Sequence, residues 1–211
     1  MDKLKSLIRM CRLGQSAVIP VLFLYLLHRL RGRNIIASRS IIRGLKNITT
    51  LGPIDVGLRP VMFTHRRDTT LLNIIGELTF HGKFSIGRGC RFAVSGTAAF
   101  GPGGYVNPDT KIVIAHKLRV GTECAISWGC QIVDDDFHVL ITDPPAPKRP
   151  REIILGDHVW VGSNVSILKG TRIASGCVIA AGSVVTGIFD ETGCLLAGVP
   201  AKVIRRGITW E

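Results

Sequence analysis

The segment of this chain best equipped for chemistry is Asp134-Asp135-Asp136-Phe137-His138. An imidazole titrates near pH ~6.5, so it accepts and returns protons at neutral pH. A carboxylate on its other ring nitrogen would orient it and stabilise the imidazolium, and Asp136 and Asp134 are the candidates for that role. The implied chemistry is general-base activation of a poor nucleophile such as a hydroxyl. A surface histidine in an acidic turn is the alternative. Asp134 and Asp136 also spell D-x-D, a pattern that holds a metal on a nucleotide sugar. That use requires a Rossmann-like domain, for which the repeats below leave no room, so no metal is expected.

A six-residue period surrounds this segment. Leu155, Val161, Ile167, Ile173, Ile179 and Val185 are spaced six apart, with Val159, Val165, Thr171, Cys177 and Ser183 at the fifth position. Phe80, Ile86 and Phe92 form an upstream run, and Ile114, Val120, Ile126 and Ile132 form another. Ile42, Ile48 and Ile54 hint at an earlier one. The register slips by two residues between runs, which a bulged corner would absorb. A period of six is neither helical nor a plain β alternation. It describes a chain that turns a corner every sixth residue, with one aliphatic inward per face and three faces per coil. The 24 glycines and only 6% aromatic residues suit narrow layers joined by tight turns.

The period breaks once, from about residue 134 to 152. Pro144, Pro145, Pro147 and Pro150 exclude coil strands there. The stretch is expected to be a loop thrown out from the prism, and long loops on rigid scaffolds usually carry function. His138 stands at its root.

The N-terminal segment differs from the body. Residues 1–50 hold ten Lys or Arg against one acid, Asp2, a formal +9 of the chain's +12. Such a segment favours polyanions. No nucleic-acid motif or interleaved stacking aromatics accompany it, so nucleic acid is not expected as a partner. The uncharged stretch from Leu13 to Leu27 is too short for a membrane span. No small-x-small cleavage site follows it, against a signal peptide. Cations on both sides suit a helix lying on an anionic membrane surface, or one packed on the protein's own body. The six cysteines include no C-x-x-C pair, and free thiols in a reducing cytoplasm are expected.

Taken together, three segments resemble the hexapeptide-repeat acetyltransferases, in particular the branch that modifies sugars. They are Asp134 to His138, Gly156-Asp157-His158-Val159-Trp160-Val161-Gly162, and Gly198-Val199-Pro200-Ala201-Lys202-Val203-Ile204. The resemblance spans roughly residues 75–206. It implies an all-β solenoid, a left-handed parallel β-helix with a protruding loop and a short N-terminal helical segment. The expected division is a helical segment at 1–40, a β-helix at 41–206 and a tail at 207–211. It further implies acetyl-CoA as cosubstrate and a homotrimer with sites between subunits.

By the same resemblance, His138 is the general base, with Asp136 or Asp134 behind it. Backbone amides of Ser163 and Ala181 meet the pantetheine arm, Thr186 follows them, and Lys202 and Arg205 meet the cofactor's phosphates. Trp160 either donates its indole N–H toward the thioester sulfur or simply packs. Gly187 stands where many relatives have Lys or Arg, a place Arg206 would have to fill. Gly129 stands where several sugar acetyltransferases carry Asn, leaving Ser127, Trp128 or a neighbouring chain to contact the acceptor. His81, His116 and His158 fall at outward positions without a role. The γ-type carbonic anhydrase use of this prism is disfavoured, because its closely spaced histidine pair is missing.

The expected function is O-acetylation of a saccharide, a surface polysaccharide or its precursor, in the cytoplasm or on the inner face of the membrane. The rivals are a drug or amino-acid acetyltransferase and a non-catalytic β-helical scaffold.

Overall fold

A computed structural model describes residues 2–58, 63–65, 67–139, 141, 143 and 151–211, without the side chains of residues 2–4 and 6. The body is a left-handed parallel β-helix with three sheets of nine, seven and seven strands. Each coil contributes one strand to each face in turn, so neighbours within a sheet come from successive coils.

The aliphatic period becomes ladders down the axis. On the first face Val56, Ile86, Val106, Ile126, Val161, Ile179 and Leu196 stand in register. On the second face the ladder is Leu72, Phe92, Ile112, Ile132, Ile167 and Val185. All are buried, as are the small fifth-position residues Cys90, Cys124, Cys130, Thr171, Cys177 and Ser183. Burial pushes the Cys90 thiol up to about 12 and that of Cys124 to about 11, and all six cysteines are free. Phe80, Phe84, Phe92 and Phe100 fill the wider upper coils, with ring centroids 5.0–6.0 Å apart.

The register slip has a physical origin in coil length. Ile86, Val106 and Ile126 recur at 20 residues, whereas Val161 and Ile179 are 18 apart. The longer coils carry four-residue second-face strands, Arg91–Val94 and Lys111–Ile114, each with two inward side chains. The last second-face strand, Val184–Val185, has two residues.

Corners also stack. Gly89, Asp109, Gly129, Asn164 and Gly182 each follow a first-face strand, with φ of 76, 61, 69, 57 and 72°. Only Gly, Asn and Asp enter this left-handed region readily, and those three types fill these five corners.

The β-helix begins before residue 41. Ile35–Ala37 pairs in parallel with Ile54–Val56, and Ile35 and Ala37 point inward while Ile36 faces out. This alternation separates the strand from helices α1 (Asp2–Leu13) and α2 (Val18–Leu30). The two helices fold against the prism, and Leu7, Cys11, Val21 and Leu58 form a second, smaller core. No helix among the described residues is long and apolar enough to cross a membrane.

One buried cation ties the helices down. Arg88 is 1% exposed and donates to Gly14 O at 2.6 Å and to Gly57 O at 3.2 Å. The turn between the helices is equally tight, because a Cβ on Gly14 would lie 2.3 Å from Leu58 O. Arg88→Leu and Gly14→Ala are each expected to loosen this docking. Hydrogen exchange should accelerate in α1 and α2 while the coils after Leu155 stay protected. Uniform acceleration along the chain would contradict the assignment.

Candidate active site

Most of the residues singled out from the sequence fall into two places. The first is the corner between the second and third faces. There the chain leaves the prism after Gln131–Val133 and returns at Ile153–Leu155. Leu140, Thr142, Pro144, Pro145, Ala146, Pro147, Lys148, Arg149 and Pro150, most of the protruding loop's tip, lie outside the described residues.

At this root the three aspartates do different work. Asp134 is fully buried, and its carboxylate accepts the N–H groups of Ala115, His116 and Lys117 at 2.7, 2.9 and 2.7 Å. It staples the loop to the same corner of the preceding coil. Asp135 accepts the Phe137 N–H at 2.6 Å and pairs with His116 Nε2 at 2.6 Å, with Arg151 joining the same oxygen. These hydrogen bonds and the Arg151 charge hold the Asp135 carboxyl down at about 2. Asp136 forms an ion pair with Lys169.

His138 is exposed, and its Nδ1 lies 3.1 Å from Asp136 O. A carbonyl oxygen only accepts, so this contact puts the proton on Nδ1 and leaves Nε2 with the lone pair. The expected carboxylate partner of His138 is therefore replaced by a backbone carbonyl. The side chains of Asp134 and Asp136 are committed elsewhere, to corner amides and to Lys169. His116, taken from sequence as an outward histidine without a role, holds the imidazole–carboxylate pair instead. The repeat itself carries the signal for it. With 20-residue coils, the corner after Ile114 lies directly beneath the one after Val133.

The second place is a groove of about 580 Å³ along the first face. Ser127, Trp128, Trp160, Ser163 and Ala181 all line it. The Trp160 indole donates to Ser127 Oγ at 3.2 Å, so that N–H already has a protein partner. Among the described residues, the Ser163 and Ala181 backbone N–H groups donate to no protein acceptor. They are free donors in a mostly apolar slot.

Gly129 follows Trp128 at the stacked corner, where a Cβ would lie 2.3 Å from Asn164 Oδ1. Asn164 thus fills the space that a side chain at 129 would need. Asp157 accepts the Thr122 N–H at 2.7 Å, giving the Gly156-Asp157 step a structural role at the opposite corner.

Lys202 and Arg205 are exposed on the closing strand Ala201–Arg205, antiparallel to Leu195–Gly198 at the end of the first face. Arg206 pairs with Glu191 at 2.8 Å, both side chains being exposed. Thr186 does not join the groove. It follows a second-face strand, on the same edge as the His138 loop.

Two groove residues, Trp210 and Glu211, carried no sequence signal. The tail at 207–211 folds back, and Trp210 stacks on His158 with centroids 4.0 Å apart. Its indole donates to His158 O at 2.9 Å, and Trp210 and Glu211 both line the groove. These residues follow the last repeat, so no periodicity marks them.

Asp134→Ala would orphan three backbone donors, a loss of about 3 kcal/mol. A clear fall in melting temperature is expected for it, against little change for the exposed Asp136→Asn. Equal melting temperatures for the two variants would contradict the division of labour described here.

Comparison with known proteins places this architecture. The model described as bacterial transferase hexapeptide (six repeats) matches residues 152–187. The chain is 33% identical to an "Uncharacterized 24.8 kDa protein in cps region" of Klebsiella pneumoniae, over 100% of this chain and 96% of that one. It is 30% identical to the "Putative lipopolysaccharide biosynthesis O-acetyl transferase WbbJ" of Escherichia coli (strain K12), over 62% of this chain and 72% of the relative. It is also 30% identical to a polysialic acid O-acetyltransferase of Neisseria meningitidis, over 49% of each chain.

Proposed function

The chain belongs to the hexapeptide-repeat acetyltransferases, and we propose that it moves an acetyl group from acetyl-CoA to a hydroxyl of a saccharide. The groove is the observation that carries the donor half. A pantetheine arm is a narrow chain with two amides, and the slot beside Trp160 offers free N–H groups from Ser163 and Ala181. Lys202 and Arg205, exposed at the end of the same face, are suited to the donor's phosphates. The acceptor class rests on the relatives, two of which are named for O-acetylation in lipopolysaccharide biosynthesis and of polysialic acid. A surface polysaccharide or its precursor is the corresponding substrate here.

His138 acts as the base. Nδ1–H is held by Asp136 O, so Nε2 takes the hydroxyl proton as the acceptor oxygen attacks the acetyl carbonyl. The new ester C–O bond forms, the C–S bond breaks, and the proton passes from the imidazolium to the departing sulfur.

His138 and the groove lie on different sides of one prism. A neighbouring copy would complete the site, which supports a homotrimer with His138 of one chain facing the groove of the next. A monomeric mass in solution at micromolar concentration would count against this assembly. The six free thiols suit a reducing compartment, and we place the reaction in the cytoplasm.

A second assignment of the base has its own observation, the His116–Asp135 pair. Mutant kinetics separate the two. His138→Ala is expected to lower kcat by about 10²–10⁴-fold with acetyl-CoA binding little changed. His116→Ala should have a much smaller effect, and the reverse ranking would move the base to His116. Lys202→Ala should raise the KM for acetyl-CoA more than it lowers kcat.

Activity should also fall on the acid side. Asp135, held at about 2, stays ionised across the range where an imidazole protonates. An acid limb set by the general base should vanish in His138→Ala.

A further inference from the structure

Helix α2 has two unlike faces. Val21 and His28 are buried, and Val18 and Leu22 pack with Val21 on the small core of Leu7, Cys11 and Leu58. Ile19, Phe23, Leu26 and Leu30 are instead 82%, 65%, 53% and 86% exposed. Spacings of four, three and four residues set these side chains on one stripe. Single exposed leucines are ordinary, but a continuous apolar stripe marks a contact surface.

The charges on the two helices select what covers the stripe. Arg29 and Arg31 are exposed at the C-terminal end of α2. Lys5, Arg9 and Arg12 are exposed on α1 at spacings of four and three, forming a cationic face. Asp2 is the one acid among the first 50 residues. A cover must therefore be apolar inside and anionic at its rim.

We infer that α2 docks in the surface of an anionic phospholipid bilayer. The stripe enters the boundary between headgroups and acyl chains, and the arginines and Lys5 meet the headgroup phosphates. A helix of 13 residues is about 20 Å long, which suits lying in the plane and not crossing it. A second copy of this chain is a poorer cover, because it brings another +9 segment to a cationic rim.

The inference is independent of the acetyl-transfer reading, and its test reads binding alone. The full chain is sedimented with phosphatidylcholine vesicles, with and without phosphatidylglycerol. Binding is expected to the phosphatidylglycerol vesicles and should weaken several-fold as salt rises. The combined Ile19→Ser, Phe23→Ser and Leu30→Ser variant should partition about tenfold less. Arg29→Gln with Arg31→Gln should lose much of the preference for phosphatidylglycerol. All replaced side chains are exposed, so circular dichroism and solution mass should not change. Wild-type protein that ignores phosphatidylglycerol vesicles, or a serine variant that binds like wild type, would overturn the inference. A serine variant with a smaller assembly mass would also overturn it, assigning the stripe to contact between copies.

Discussion

Register is the constraint from which the rest of this molecule follows. Each interior strand bonds to the coil before and the coil after, so each turn of chain must bring the same face back to the same height. Inward ladders such as Val106, Ile126 and Val161 are the consequence. An inserted loop must leave and re-enter without shifting that register. Asp134 satisfies the demand with one buried carboxylate on three amides of the preceding corner. The loop is therefore fixed at its root, which is where His138 stands. The imidazole inherits its position from a structural hydrogen-bond cluster four residues away.

The same constraint divides the site. Side chains that could bind a donor project from the first face, and the loop that carries the imidazole leaves from the corner between the other two. Under the reaction proposed above, which needs both, association of copies would be part of the catalytic apparatus.

Much of the architecture was legible in the sequence because burial imposes a strict period. Val161 and Ile167 had to be apolar to lie at the axis, and both are fully buried. The limits of the prism were less legible. Ile35–Ala37 is a short strand beside basic and helical sequence, and a single alternation does not announce a coil. Within the site, the spacing of Asp134, Asp136 and His138 suggested a carboxylate behind the imidazole. Spacing along the chain does not encode which carboxylate faces a corner amide, and partners from other coils, His116 and Lys169, decided the outcome. The departure at Gly129 likewise took meaning only from a neighbour, Asn164.

The groove holds one further property of practical value. The chain has three tryptophans, and Trp128, Trp160 and Trp210 all line that single slot. No indole elsewhere dilutes their emission. The protein's intrinsic fluorescence is in effect an optical report on one surface, and any occupant of the groove writes its own signal without a label.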